Sequence, residues 1–544
     1  MCMREVGRVL YVLVFLAAAL AVQVAAPGDA FAQVDSRPTE LMVLTEEAEE
    51  AFFDGHYDEC VRLATKAREW LSETDNRKLM AKRGFDYGVY EGFNHLLAAQ
   101  AKLHADDVNG YRYEVGQAKH QLADRRTYYM QRGIDATEFW LCAAFLEFTE
   151  GDRYRPARTH MSRNESGEII LPFEFLLTEE AKASVDLRKL TSVGVSSRAE
   201  THYENGGRIL EELLHLRFGQ LSGGWDPVVS RAHSLFIRLL TSRAYTALAR
   251  QEGGDEGVLA GAWIRDAQAY LARARELQSD DVVWKTLVPP GRNFPIPYAL
   301  FETEGGTFTQ AGRAGAPGSQ NSSAASPGTQ ATSSGGGSAN NGGSDVPELT
   351  EKDRVMLKGL WARAIYDWVQ LELLAAELEA RSDDEGFGVS ADIRDGNAAE
   401  NRIKKIAGML ATNFRNGHPM LLDASLALAG WQMSRLNESP VVKSTRLRGG
   451  AGEEGEDAFS SQEVAACAVK ARDALWTVYS IRSADFPVSK PKTVEMTFIE
   501  LRLLEILYLL DEKYGILADG QRQEIIGEAR YVFKELQRLS AARD

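Results

Sequence analysis

Residues Phe52-Phe53-Asp54-Gly55-His56-Tyr57-Asp58-Glu59-Cys60-Val61-Arg62-Leu63-Ala64-Thr65-Lys66-Ala67-Arg68-Glu69-Trp70 read as the end of one helix, a tight turn at glycine and a second amphipathic helix. Two helices approach closely only where no bulky side chain intervenes, so Gly55, Cys60 and Ala67 mark the packed face of a helical hairpin. Working outward, apolar residues recur three and four apart over 82–103, 114–125, 136–148, 202–218, 230–250 and 259–277. The same spacing returns from Thr350, where Asp353 three residues on gives a capping-box-like start, through Leu357, Leu360, Ala364, Trp368, Leu371, Ala375 and Leu378. Further helices are predicted at 398–414, 419–436, 462–481, 494–510 and 521–539. One short extended excursion is expected around Glu168-Ile169-Ile170-Leu171-Pro172-Phe173. The fold class is therefore all-α, an α-solenoid or irregular helical bundle.

The opening stretch resembles a tetratricopeptide repeat, whose turn has a Gly-Asp-Tyr-Asp-Glu-Ala type of sequence followed by a second Ala one helical face later. Gly55, Tyr57, Cys60 and Ala67 take the repeat-packing places, with Cys60 where the first Ala stands. The chain departs from the pattern at Glu47 and Ala51 in the preceding helix and at Ser72, where a proline commonly ends the unit. Residues 267–277 look like another second helix, behind 244–249 as its first, and 465–472 share the same small-residue texture. Proteins similar to such arrays are usually not enzymes, and their stacked hairpins form a concave groove for peptides or partner proteins. The resemblance implies an exported, non-catalytic scaffold or adaptor for protein-protein interaction in the cell envelope. The alternative is a solute- or glycan-binding helical protein, with Trp140, Trp225, Trp263 or Trp284 exposed around one cleft. A helical hydrolase or metal enzyme stands third and requires carboxylates or histidines converging in a cavity.

Four segments follow along the chain. Arg4 and Arg8 precede an apolar run over 9–22, Pro27-Gly28 breaks it, and Ala30-Phe31-Ala32 offers a peptidase site, so residues 1–32 are expected to be a signal peptide. Export to the periplasm or beyond the cell is the corresponding expectation, with no later segment apolar enough to span a bilayer. Residues 305–346 turn to Gly, Ser, Ala, Asn and Thr, a flexible linker whose ends stand on the order of 35 Å apart. It divides a TPR-like helical domain at 33–304 from a second helical domain at 347–544.

The 544 residues carry a formal net charge of -16, and residues 1–32 contribute nothing to it. An acidic chain lacks the basic face that phosphate neutralisation needs, which excludes broad nucleic-acid binding. One local feature opposes that balance: Arg125, Arg126 and Arg132 with Tyr128 and Tyr129, then Arg153, Arg155 and Arg158 with Tyr154 and His160. If the intervening helix folded both clusters to one end they would form an anion-binding patch; otherwise they pair with the protein's own carboxylates. Signal removal leaves Cys60, Cys142 and Cys467, an odd number that permits at most one internal disulfide; Cys60 and Cys142 allow either that bridge or two buried thiols, of which the buried thiols are expected.

No catalytic, cofactor-binding or metal-ligating set is expected. Walker-type and nucleophile-elbow glycine motifs are missing, and Gly450-Ala451-Gly452-Glu453-Glu454-Gly455 follows no strand and carries carboxylates that would repel a pyrophosphate. Glu212 and His215 have helix-face metal spacing but no second pair to complete a bundle site. His95 and His233 fall beside apolar positions and are expected to be packing residues.

Overall fold

The structure is a computed structural model. It describes residues 39–105, 107–132, 137–156, 171–173, 193–218, 227–253, 260–279, 351–381, 397–413, 420–438 and 520–542, with single residues between 466 and 477 and between 497 and 511. The expected signal peptide and the Gly/Ser-rich linker lie outside the described residues. Within them the chain is helix and turn with no strand, so the protein is all-α. Of the extended run expected over 168–173, residues 168–170 lie outside the described residues, and Pro172 and Phe173 form a turn with Phe173 at φ 57°. The Phe173 amide donates to Glu505 Oε1 at 3.0 Å, and this anchor fixes a conformation that alternation alone would not select.

The first hairpin pairs α1 (Thr39–Phe53) with α2 (Tyr57–Ser72). Gly55 holds φ 74°, a left-handed conformation that a side chain would strain, while His56 N donates to Ala51 O at 2.8 Å and closes the helix end. On α2, Cys60, Leu63, Ala64, Ala67 and Leu71 are buried at helical spacing, the small ones fully. The helix expected over 82–103 begins only at Tyr87: a separate short helix, α3 (Thr74–Lys82), precedes α4 (Tyr87–His104). Gly84 at φ 81° ends the first, and the Asp86 carboxylate caps the second by accepting from Gly88 N at 2.9 Å.

Four more hairpins follow: α4 with α5 (Val108–Arg132), α6 (Thr137–Arg153) with α7 (Val193–Phe218), α8 (Pro227–Gly253) with α9 (Ala260–Ser279), and α10 (Glu351–Arg381) with α11 (Asn397–Asn413). Each first helix packs on its own partner and on both helices of the hairpin before it. The series closes on itself, because α10 returns to pack along α1. Five first helices, α1, α4, α6, α8 and α10, thus surround one centre, and the second helices lie outside them. Helix α12 (Leu421–Glu438) packs on α10 and α11 around Trp368, Leu410 and Trp431. The last helix, α13 (Gln521–Ala542), shares a separate apolar cluster with Leu171, Phe173, Phe498 and Leu501.

The two halves dock. Leu360, Ala364, Leu371 and Leu378 of α10 belong to the same apolar core as Phe52, Leu97, Phe145 and Leu239. That junction also carries buried charge. Arg231 donates from Nη2 to Glu46 Oε1 at 2.6 Å and from Nε to Glu49 Oε2 at 2.8 Å. Arg363 Nη1 donates to Glu46 Oε2 at 3.1 Å and Glu49 Oε2 at 2.8 Å. Two carboxylates and two guanidiniums, each at most 7% exposed, balance to zero, as burial of charge requires. Gly359 leaves room for the arrangement, since a Cβ there would collide with the Glu46 carboxylate. No helix among the described residues is long and apolar enough to cross a membrane.

Candidate functional site

The first helices run side by side, so successive turns of one face successive turns of the next. Arg363 and Arg231 meet Glu46 and Glu49 in the middle of α1, whereas Tyr366 and Arg238 meet Phe53 at its end. The charged quartet therefore crosses the ring about one turn before the level of Phe53. Beyond it lies a cavity of about 160 Å3, to which all five first helices and α12 contribute side chains.

The wall from α1, α4 and α6 is formed by Phe52, Gln100, His104, Phe148 and Asp152. Asp152 is held from two sides: Tyr203 Oη donates to Oδ1 at 2.7 Å and Gln100 Nε2 to Oδ2 at 3.3 Å. His104 sits between rings, stacked on Tyr57 at 5.4 Å and edge-on to Phe52 at 5.3 Å. Burial holds its imidazole down at about 4, helped by the nearby Arg155 and Arg238 and opposed by Asp152, so the ring is neutral at pH 7.

The opposite wall comes from α8 and α10. Arg238 lies 5.0 Å from the Phe53 ring centroid and 5.5 Å from that of Phe148, and its Nε comes within 3.6 Å of Asp367 Oδ1. That separation is an ion pair but too long for a hydrogen bond. Ser234 Oγ donates to the other Asp367 oxygen at 2.6 Å. Burial pushes the Asp367 carboxyl up to about 7 against the pull of Arg238, which places its charge change near neutral pH. The Tyr366 phenol is likewise raised by burial and stays protonated. Arg155, just after α6, lies deep in the fold with 36% of its side chain open, its guanidinium 4.9 Å from the Tyr245 ring centroid and 3.9 Å from Asp152 Oδ1. On the α12 side, Gln370 Nε2 donates to Asp423 Oδ2 at 2.9 Å. The result is a pocket with aromatic faces, carboxylates and two guanidiniums. It can hold a small polar molecule by stacking and directed hydrogen bonds.

The residues singled out by sequence distribute as follows. Gly55 forms the first turn, Cys60 and Ala67 are fully buried, and Tyr57 reaches the cavity's edge through its stack on His104. The basic clusters are not brought together, because α6 is one continuous helix of 17 residues, about 25 Å long, between them. Arg125 lies at one end, paired with Asp86 at 3.3 Å and set over Tyr87, with Arg126 exposed on the same helix. Arg153 lies at the other end, over Tyr111 and Tyr154, with Arg155 beside it in the cavity. Arg158 and the side chain of Arg132 lie outside the described residues.

Cys60 and Cys142 are free buried thiols that donate to Leu97 O at 3.9 Å and Val89 O at 3.8 Å, and burial pushes both well above the usual thiol range. His95 is buried with Nδ1 2.6 Å from Glu114 Oε2, and His233 has Nε2 2.9 Å from Leu277 O, so both are satisfied packing residues. Glu212 and His215 are exposed on α7. Among the described residues no cluster of three or more His, Cys, Asp or Glu could hold a metal ion. Trp140 is 38% exposed and packs edge-on against Phe139, away from the cavity; Trp225, Trp284 and the Trp263 side chain lie outside the described residues.

Sequence alone missed Arg238, Asp152, Asp367, His104 and Tyr366. A signal for two of them exists: Arg238 and Asp367 interrupt the inward stripes of α8 and α10, between Ile237 and Leu239 and next to Trp368. No protein-family model matches the chain, and no curated protein matches it.

Proposed function

We propose that this protein is an exported, non-catalytic helical-repeat protein of tetratricopeptide-like build that binds a small solute at the centre of its ring. The observation that carries this reading is the occupancy of the concave side. In a scaffold of that type a partner would dock on the inner face of the first helices, and here α10 of the same chain closes the ring between α1 and α8 and encloses that face. What stays open is a cavity of about 160 Å3, close to the volume of an engineered cavity that admits benzene. A protein partner would have to displace α10 or use the outer helices, whereas a solute needs neither.

The test is calorimetric titration of the mature protein with compact amino acids, sugars, amines and organic acids. Saturable binding to at least one class is expected. Ala427→Trp, which fills the cavity from the half-buried α12 side, should abolish it while leaving the helical circular dichroism unchanged. Lack of binding to every class, with a protein partner retained equally by wild type and Ala427→Trp, would replace this reading with the adaptor.

A further inference from the structure

The guanidiniums at the cavity have donors with nowhere to go. Among the described residues Arg238 donates no hydrogen bond: its Nε is buried without an acceptor, and its contact with Asp367 is 3.6 Å long. Arg155 likewise has only Asp152, at 3.9 Å. Asp152 accepts from Tyr203 and Gln100, and Asp367 accepts from Ser234 at Oδ2, whereas its Oδ1, which faces Arg238 at 3.6 Å, accepts no hydrogen bond. Arg155 is partly open and can be met by water, but a buried guanidinium without a close acceptor, as at Arg238, is costly, and an acceptor entering the cavity would relieve it. Both arginines act on the same two rings, His104 and Tyr366, which places them around one end of the cavity.

We propose that Arg155 and Arg238 form the recognition end of the cavity for the carboxylate of a compact organic acid with an aromatic or branched apolar body. The proposal rests on the solute-binding reading above. Two guanidinium forks present paired N–H groups that match the two oxygens of a carboxylate. Beside them Phe52, Phe148, Tyr245, Tyr366 and Leu374 offer faces for an apolar body. The cavity volume limits that body to about one benzene ring.

Charge selects a monoanion over phosphate. Asp152, Asp367, Glu377 and Asp423 all line the cavity, so a dianion would face repulsion from several sides. Asp367 gives the site a pH dependence. It faces Arg238 and Ser234 from α8 and lies one turn from Arg363, which Glu46 and Glu49 of α1 hold. The other charges packed on α10 look elsewhere: Arg275 and Arg402 pair with Glu372, and Asp423 with Gln370. An incoming carboxylate favours the protonated form of Asp367, so affinity should fall as pH rises above about 7.

The experiment is titration calorimetry of the mature full-length protein with sodium benzoate, isobutyrate, benzamide, benzylamine and inorganic phosphate at pH 6 and pH 8. Benzoate should bind saturably and tighter at pH 6, with benzamide and phosphate at least tenfold weaker. Arg155→Gln, a change at a partly open side chain that leaves the core intact, should weaken benzoate at least tenfold and leave the melting temperature unchanged. Asp367→Asn should remove the difference between the two pH values. Preference for benzylamine, benzamide or phosphate over benzoate would overturn the carboxylate assignment while leaving a solute site standing. Equal benzoate affinity in Arg155→Gln and wild type would overturn it as well. Absence of binding by all five probes and by the wider solute panel would remove both proposals together.

Discussion

Replacing Arg363 with Met asks whether the buried quartet holds the two halves together. The substitution keeps an unbranched side chain but deletes the charge from a site where Arg363 is 2% exposed and Glu46 and Glu49 are 1% and 5% exposed. Glu46, Glu49 and Arg231 then carry an uncompensated negative charge away from water, a situation that typically costs about 3 to 5 kcal/mol. Deleting Glu49 as well restores balance, because Arg231 still reaches Glu46 at 2.6 Å. Arg363→Met with Glu49→Met should therefore be more stable than Arg363→Met alone by about 2 kcal/mol or more, a positive coupling that unrelated sites do not show. Urea unfolding followed by fluorescence and circular dichroism supplies the stabilities. A protease site placed within 305–346 supplies an independent reading: after cleavage the wild-type fragments should co-elute, and those of Arg363→Met should separate. A loss below about 1 kcal/mol, or a double variant less stable than the single one, would refute the idea that paired buried charge fixes α10 on α1.

Three further outcomes are expected. Ala67 is fully buried beside Leu41, Leu71 and Met80, so Ala67→Trp should cost about 1 to 3 kcal/mol by overpacking, and a wild-type urea midpoint would mean that the α1/α2 contact is misplaced. The Asp367 pKa is raised in the folded protein, to about 7 from 3.8, so the folded state binds the extra proton between these values and the stability it contributes is lost as pH rises from about 4 to 7. Asp367→Asn should flatten that slope in a series of thermal melts, and an unchanged slope would exclude this carboxyl as its source. Because burial suppresses their thiolates, Cys60 and Cys142 should resist iodoacetamide at pH 8 in the native protein and react in urea, and rapid native labelling of either would contradict their placement.

Much of the helical build was legible because apolar spacing reports local burial. The start read at Thr350 falls within a residue of that of α10, the stripe from Leu357 to Leu378 lies wholly inside it, and Gly55 with Cys60 and Ala67 marks the first hairpin. Two local errors share one cause, since Gly84 breaks a periodic run and the Glu505 contact bends Phe173, and a periodicity count registers neither. The cavity was hardly legible at all. Its charges sit at 152, 155, 238, 367, 377 and 423, and only ring closure makes them neighbours. Arg155 was flagged for the company of Arg153 and Arg158, whereas its place follows from Tyr245 some ninety residues later. Arg363 and Asp367, four apart on an otherwise apolar face, were the strongest overlooked clue, because inward charges need partners from elsewhere.

The return of α10 onto α1 also sets an order of events in biosynthesis. Until residue 381 has been made, the earlier hairpins lack their fifth side, and Glu46 and Glu49 face Arg231 without Arg363. A nascent or truncated chain ending before Glu351 would leave the inner apolar faces of α1 and α8 wet and sticky, a state that invites chaperone capture or aggregation. Completion of the ring is in effect a late proofreading step, in which only chains carrying both halves conceal that surface.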